Sequence, residues 1–548
     1  MPDTMRIARR LCAAVLFAGA VMAPGAPAEA EAPLALAPEI VARQPEPRPA
    51  EVPPPPPATH DLARRARVSG RIGWMVADID TGEVIDAAGA HHPFAPASVA
   101  KLPTAAFALE QLGGGHRFET RLVARGEIAA GVLRGDLVLE GGGDPELDTD
   151  ALAPLASAIA GAGITRVEGF LRPEIGGWAE TPAIMAEQPE DAPYNPAVSR
   201  LSLNFNRVRL EWPRRAKAKD VKVMAHATHL RPLTDAVRVA TGSSLPAPLV
   251  HSFAEDHERW DIVAAALRRK GARWLPVRRP AAYTARVFAG LATTKGVEIT
   301  GGALSSATSA RPAGAAEGET AVASLVTFGD GNAAALPSGR LIAQHQSRPL
   351  ADILREMLRY STNITAELCG MAAAGPVAAG GLERSADALN AWAAARAGFP
   401  EGDAGFRLAN HSGLSLASRV SPARMVQLLQ AVALKPAPAE TVDGRLPGGV
   451  AQLLRPHNIA ARNVPFDYAG TAVAAKTGTM HFVRGLAGYV TTPKGRRLAF
   501  AVFANDLPRR AQGEYGARSW ANRARNLERS LIREWVLMAD ATPAKTSK

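Results

Sequence analysis

The pattern of this 548-residue chain changes twice along its length, and that double change limits its architecture more than any other feature. From Arg71 the sequence reads as a β-hairpin: Arg71–Asp80, a Thr81-Gly82 turn, then Glu83–Ala88. A loop, His91 to Pro96, leads to Ser98 and a helical stretch through Leu112, which Gly113-Gly114-Gly115 stops. From residue 116 to 344 the segments become short and alternating, as in Leu133–Glu140 and Val198–Leu210, among Gly-, Pro- and Ala-rich turns. Helical periodicity returns at Pro349–Tyr360, where Leu350, Ile353, Leu354 and Leu358 share a face. Two strands, Leu486–Thr491 and Arg497–Ala504, flank the Thr492-Pro493-Lys494-Gly495 turn. A last helix over 517–539 carries Trp520, Leu527, Leu531, Trp535 and Met538 in one stripe, which suits packing on a sheet. Both changes are met by a split unit of α/β (α+β) class, residues 61–115 plus 345–540, with one or two β-rich lobes inserted over 116–344. Residues 541–548 form a tail.

Ahead of this body, Arg6, Arg9 and Arg10 precede an apolar run from Leu11 to Ala23. Small-x-small sites follow at Ala26-Pro27-Ala28 and Ala28-Glu29-Ala30, so residues 1–30 read as a cleavable export signal. The apolar run is shorter than the ~20 residues that span a bilayer. Residues 31–60 read as a Pro-rich linker with five consecutive prolines, Pro53 to Pro57. Cys12 lies in the signal, so the mature chain keeps only Cys369 and forms no internal disulfide. The expected destination is the periplasm.

The formal charge of +11 suggests an acidic partner: nucleic acid, anionic lipid or a carboxylate-rich wall. Export and an aromatic content of 5% argue against nucleic acid. Only 11 of the 63 basic residues are lysine, and of these only Lys101 has a serine three residues before it. Residues i and i+3 share a helix face, so Ser98 and Lys101 can approach hydrogen-bonding distance. The start of a helix adds free N–H groups where an oxyanion would form. A desolvated lysine, or one near other cations, loses its proton and can activate a serine; an arginine stays protonated and cannot.

Two further clusters carry chemistry. Lys476-Thr477-Gly478-Thr479 follows Ala472–Ala475 and sits on a strand expected to border a cleft, where a lysine and two hydroxyls can bind a carboxylate. The glycine lets a ligand backbone approach. Ser361-Thr362-Asn363 follows the helix ending at Tyr360, and its hydroxyl and amide can relay a proton and orient a substrate amide. Ser202-Leu203-Asn204, inside the insertion, competes for that role.

Together these residues resemble the penicillin-recognising serine enzymes, with their Ser-x-x-Lys, Ser-x-Asn and Lys-Thr-Gly set. Pro96–Leu102, Gly141-Gly142-Gly143-Asp144-Pro145, Ser412-Gly413-Leu414-Ser415 and Ala475–Thr479 continuing to Leu486–Val490 narrow the resemblance. They are similar to the class C low-molecular-mass penicillin-binding proteins, the D-alanyl-D-alanine carboxypeptidase/endopeptidases. The 263-residue interval from Ser98 to Ser361 suits that class. The resemblance implies a penicillin-recognising serine transpeptidase/β-lactamase-like catalytic domain. It makes Ser98 the acylated nucleophile, Lys101 its base and Ser361 a proton relay. It gives substrate binding to Asn363, Lys476, Thr477, Gly478 and Thr479, and an oxyanion hole to the backbone N–H groups of Ser98 and Thr479. It implies no cofactor and no metal, peptidoglycan peptides ending in D-Ala-D-Ala as substrate, and β-lactams as covalent inhibitors. One departure is Asn410-His411, where the family usually has Asp-Gly.

Other readings stand beside this one. A β-lactamase or esterase on the same scaffold would need a deacylating carboxylate of the Glu-x-x-Leu-Asn type. The pairs Leu203-Asn204 and Leu389-Asn390 have Arg200 and Ala386 at that position. A non-catalytic wall-binding protein is the alternative from another class. His226-x-x-His229 has metal-ligand spacing but no cysteine or adjacent glutamate, and Arg207–Lys222 is a basic run suited to an exposed edge or an anionic polymer.

Overall fold

Strand alternation builds the central sheet. In the computed structural model, which describes residues 57–303, 339–400, 402–433, 449–459 and 470–541, five antiparallel strands form this sheet. They lie in the order Ala472–Met480, Val483–Thr491, Arg497–Asn505, Arg71–Asp78 and Val84–Ala88. The first two strands of the chain thus join the last three. Successive side chains point to opposite faces of a strand, and here both faces are apolar. Trp74, Val76, Val473, Leu486 and Phe500 pack with Leu527, Leu531 and Trp535 of the final helix, Ala517–Ala541. Ala474, Ala487, Tyr489, Ala501 and Phe503 belong to the opposite core. Helices Lys101–Leu112, Leu350–Tyr360, Asn363–Ala374, Gly381–Ala397 and Pro422–Ala433 supply that core's other half. Each large side chain buried this way contributes roughly 1.5–3 kcal/mol relative to exposure.

Residues 1–30, read above as an export signal, and most of the expected linker and tail lie outside the described residues. The linker ends earlier than expected, because helix Pro57–Ala66 begins at the last of the five prolines. Proline fits a helix's first position, where its missing N–H has no intrahelical partner. Leu62, Ala63 and Ala66 then pack against the core under the final helix.

Between Leu112 and Leu350 the described chain forms three more sheets. The largest has six strands. Glu119–Ala129 and Val132–Glu140 form its antiparallel centre, Arg340–Gln346 lies beside Glu119–Ala129, and Arg166–Val167, Leu171–Glu174 and Glu298–Ile299 complete the far side. Helices Thr149–Gly161 and Pro280–Thr294 share its core through Leu152, Ile159, Tyr283 and Phe288. Two three-stranded sheets follow, one of Arg207–Trp212, Lys222–Met224 and Gly271–Pro276, the other of Val237–Gly242, Leu249–Phe253 and Glu258–Val263. One apolar cluster, from Leu137 to Trp260 and Leu275, joins all three.

The alternating pattern of Val198–Leu210 is not one strand: Val198 forms an isolated bridge with Thr181, and the strand proper is Arg207–Trp212. Asn204, Phe205 and Asn206 adopt φ of +53°, +57° and +52°. Buried asparagine side chains replace the missing ladder bonds. Asn204 Oδ1 accepts from Thr149 N at 3.1 Å and Asn206 Nδ2 donates to the Ala197 carbonyl at 2.9 Å. This turn occupies Ser202-Leu203-Asn204 with structural bonds inside the insertion. His226 packs edge-on against Trp274. Among the described residues no cluster of three or more His, Cys, Asp or Glu side chains is placed to hold a metal, and no helix is long and apolar enough to cross a membrane.

Candidate active site

Ser98 lies on a 3-10 turn, Ala97–Ala100, that runs directly into helix Lys101–Leu112. Ala97, just before it, takes φ +49°, a left-handed conformation that costs a non-glycine residue about 1 kcal/mol or more. Its surroundings hold it there. Asn505 Oδ1 accepts the Ala95 N–H at 2.7 Å, and Gly413 and Gly478 close in on either side. A Cβ on Gly478 would stand 2.6 Å from the Pro96 carbonyl and 3.0 Å from the Ser98 nitrogen, so only glycine lets this strand approach the serine so closely.

Lys101 is fully buried. Its Nζ lies 3.0 Å from Ser98 Oγ, 2.8 Å from Asn363 Oδ1 and 2.9 Å from the Ser412 carbonyl. The last two partners only accept. A neutral amine therefore spends its two hydrogens on them and turns its lone pair to the Ser98 hydroxyl. Burial, with repulsion from Lys476 second, pushes the Lys101 amine well below its ordinary pKa, and the Glu367 carboxylate opposes this. The pair is thus set for proton transfer from serine to lysine.

A second serine–lysine pair stands across the cleft. Lys476 Nζ donates to Ser361 Oγ at 2.9 Å and to the Thr477 carbonyl at 2.8 Å. Burial, then the charges of Arg455 and Arg484, bring its pKa down to about 7. Ser361 ends helix Leu350–Tyr360 in a left-handed conformation, φ +60°, and Asn363 opens helix Asn363–Ala374. That kink turns both side chains toward Lys101 and Lys476.

Strand Ala472–Met480 is the edge of the central sheet. In an antiparallel strand the N–H and C=O of every second residue share one side. The Val473 carbonyl accepts from His457 N on the free side, at 2.7 Å, so Ala475, Thr477 and Thr479 also present their main-chain groups there. Lys476 and Gly478 then share the face that meets the nucleophile turn. The Thr479 hydroxyl accepts from Arg484 Nη1 at 2.7 Å. Arg484 in turn makes a bidentate, fully buried pair with Glu528 of the final helix, at 2.9 and 2.8 Å.

The structure therefore forms two hydrogen-bonded groups, Ser98–Lys101–Asn363 and Lys476–Ser361, and sets Thr477, Gly478 and Thr479 along the adjoining edge. It also adds groups that sequence reasoning missed. Asn363 Nδ2 donates to the Tyr194 carbonyl at 2.9 Å, so the insertion reaches the site. Ile184 and Val198 pack on Ile364, Leu368 and Met371 beneath that contact. The Ser412 carbonyl and the Glu367 carboxylate are the others. Ser412 stood in the sequence as part of Ser412-Gly413-Leu414-Ser415 without a role, and Glu367 stands one helical turn after Asn363.

An antiparallel sheet between helices, with a dehydrated lysine on a serine and a second lysine–serine pair opposite, defines a penicillin-recognising serine hydrolase. The chain belongs to the D-Ala-D-Ala carboxypeptidase 3 (S13) family, whose sequence model matches residues 60–325 and 326–525. It is 28% identical over 477 residues to the D-alanyl-D-alanine carboxypeptidase of Actinomadura sp. (strain R39), covering 81% of this chain and 79% of that protein. The D-alanyl-D-alanine carboxypeptidase DacB of Haemophilus influenzae is 24% identical over 471 residues, covering 81% and 87% of the two chains. The crystal structure of penicillin binding protein 4 (dacB) from Haemophilus influenzae has the same fold, with a TM-score of 0.62 at 21% identity over 87% of this chain and 99% of that one.

Proposed function

We propose that this enzyme is a periplasmic serine D-alanyl-D-alanine carboxypeptidase and endopeptidase that cuts peptidoglycan stem peptides through an acyl-enzyme on Ser98. The observation that carries this is the threefold contact of Lys101 with Ser98, Asn363 and Ser412. Ser98 Oγ attacks the carbonyl carbon of the penultimate D-alanine, and Lys101 takes its proton. The N–H groups of Ser98 and Thr479 hold the oxyanion; one such donor is worth about 10²–10³ in rate. Ser361, hydrogen-bonded to Lys476, protonates the departing D-alanine amine as the C–N bond breaks. Water then attacks the ester, and Ser98 leaves as the hydroxyl.

Asn363 Nδ2 carries two hydrogens, of which the Tyr194 carbonyl takes one and the substrate amide the other. The terminal carboxylate sits among Lys476, Thr477 and Thr479. Penicillin opens on Ser98 and leaves slowly: Glu367, the carboxylate whose charge acts on Lys101, already accepts backbone N–H groups at both oxygens.

Intact-protein mass spectrometry with benzylpenicillin tests this reading. One stable adduct is expected on Ser98, absent from Ser98→Ala and from Lys101→Arg. No adduct on the folded wild type would make it a wall-binding module, and rapid turnover a β-lactamase. Release of D-alanine from linear peptides, compared with cleavage of cross-linked dimers, then separates the two peptidase activities.

A further inference from the structure

Glu367 is fully buried on helix Asn363–Ala374. Its Oε2 accepts the His411 N–H at 3.0 Å and its Oε1 the Ser412 N–H at 2.9 Å. Both oxygens accept, as those of a carboxylate do. Burial holds its pKa above the ordinary carboxylate value, opposed by the Ser412 side chain, by these two N–H groups and by the Lys101 charge. Ser412 is the residue whose carbonyl accepts from Lys101 Nζ at 2.9 Å. One carboxylate thus grips the N–H end of the residue whose C=O end aims the catalytic amine.

The rest of the loop is held from other sides. Thr104 Oγ1 donates to the His411 carbonyl at 2.8 Å, and His411 Nε2 shares a 2.9 Å hydrogen bond with Ser385 Oγ. The His411 ring lies against Gly370, where a Cβ would overlap it. Three helices therefore clamp the Asn410–Gly413 loop, and Glu367 alone bonds the two successive N–H groups nearest Lys101.

We propose that Glu367 is a positioning residue for acylation, fixing the Ser412 carbonyl so that the Lys101 amine points at Ser98. It also carries charge toward that amine. The charged groups acting on Lys101 are Glu367 from its helix and Lys476 from the edge strand. The intervening His411 ring is held neutral by burial, its pKa pushed down to about 3. Removing the Glu367 charge leaves Lys101 facing only another cation, so its amine holds a proton less tightly.

The inference rests on Ser98 acylation as proposed above. The test compares the rate of acylation by benzylpenicillin against pH in the full chain for wild type, Glu367→Gln and Glu367→Asp. In Glu367→Gln one acceptor is replaced by an NH₂ facing a backbone N–H. Acylation is expected to slow ~10- to 100-fold, the scale of a misplaced catalytic group, with its acid limb moved to lower pH. Glu367→Asp keeps the charge and shortens the reach; it slows acylation and leaves the limb in place. Wild-type rates and profiles in Glu367→Gln overturn the proposal, as does a lower Tm with unaltered acylation of the folded molecules. Should Glu367→Gln fail to fold, Glu367→Asp decides alone: slowed acylation upholds the proposal and a wild-type rate ends it. Absence of acylation in the wild type would sink the proposed function itself, a different result from equal acylation in all three proteins.

Discussion

Lys101 Nζ donates to Asn363 Oδ1 at 2.8 Å across 262 residues of sequence. This bond ties the nucleophile helix to the helix that bears the second motif. It works because the amide oxygen accepts without adding charge, leaving the buried amine free to lose its proton.

Asn363→Asp puts a charge at that position and also removes the Nδ2 donor to the Tyr194 carbonyl. A carboxylate beside Lys101 favours the protonated amine and raises its pKa. Acylation of Asn363→Asp by benzylpenicillin should fall ~10²-fold near neutrality and recover as pH rises, the loss being that of a general base. A pH profile superimposable on the wild type would show that Asn363 does not govern the amine.

Lys476 titrates at about 7, and its ammonium form is the one that holds a carboxylate. kcat/KM for a D-Ala-D-Ala peptide should therefore decline on the alkaline side as Lys476 loses its proton, since kcat/KM reports the free enzyme. Lys476→Arg keeps its charge at every working pH. Its overall rate should be lower and its alkaline decline absent; an unchanged decline would assign that limb elsewhere.

Gly478→Ala places a methyl 2.6 Å from the Pro96 carbonyl and 3.0 Å from the Ser98 nitrogen. Both are backbone atoms of the nucleophile turn, so the strand must retreat from the oxyanion site. A displacement approaching 1 Å costs about 10² in rate. Steady-state kinetics should show the loss in kcat with a Tm near that of wild type, whereas full activity would mean that the strand adapts.

Glu528→Ala should cost about 3–5 kcal/mol in stability, because it strands the Arg484 guanidinium in a dry interior. The two side chains are only 2% and 4% exposed. Thermal or urea unfolding measures this directly. Arg484 also holds the Thr479 hydroxyl, so the same variant should weaken substrate binding at temperatures where it remains folded.

Elements with an uninterrupted periodic pattern were legible in the sequence. The Arg71 hairpin, the helix ending at Tyr360 and the last helix all announce themselves by alternation or by an apolar stripe. Their limits were less so. The strand expected from Leu486 begins at Val483, because Arg484 breaks the apolar pattern and is buried only by its distant partner Glu528. In the insertion, Asn204 to Asn206 turn left-handed where hydrophobic alternation alone suggested a strand. The candidate site was legible in the side chains of Ser98, Lys101, Ser361, Asn363 and Lys476, which the structure places close together. The carbonyl partners of that group were not. The carbonyls of Ser412 and Tyr194 belong to any residue, so nothing in their identity points to Lys101 or Asn363.

The pairing of Arg71–Asp78 with Arg497–Asn505 sets a schedule for the newly made chain. Trp74 and Val76 emerge early, but Val502 and Phe500, their partners across the ladder, come near the end. At about 5–20 residues per second the wait is roughly 20 to 80 seconds. Throughout it the hairpin has no neighbour on that edge, and the apolar faces beside it are uncovered. The inserted sheets wait about half as long, their most distant pairing being Glu119–Ala129 with Arg340–Gln346. A chain cut short between Gln346 and Arg497 would thus carry a complete insertion beside a central sheet left open, with its apolar faces bare to water.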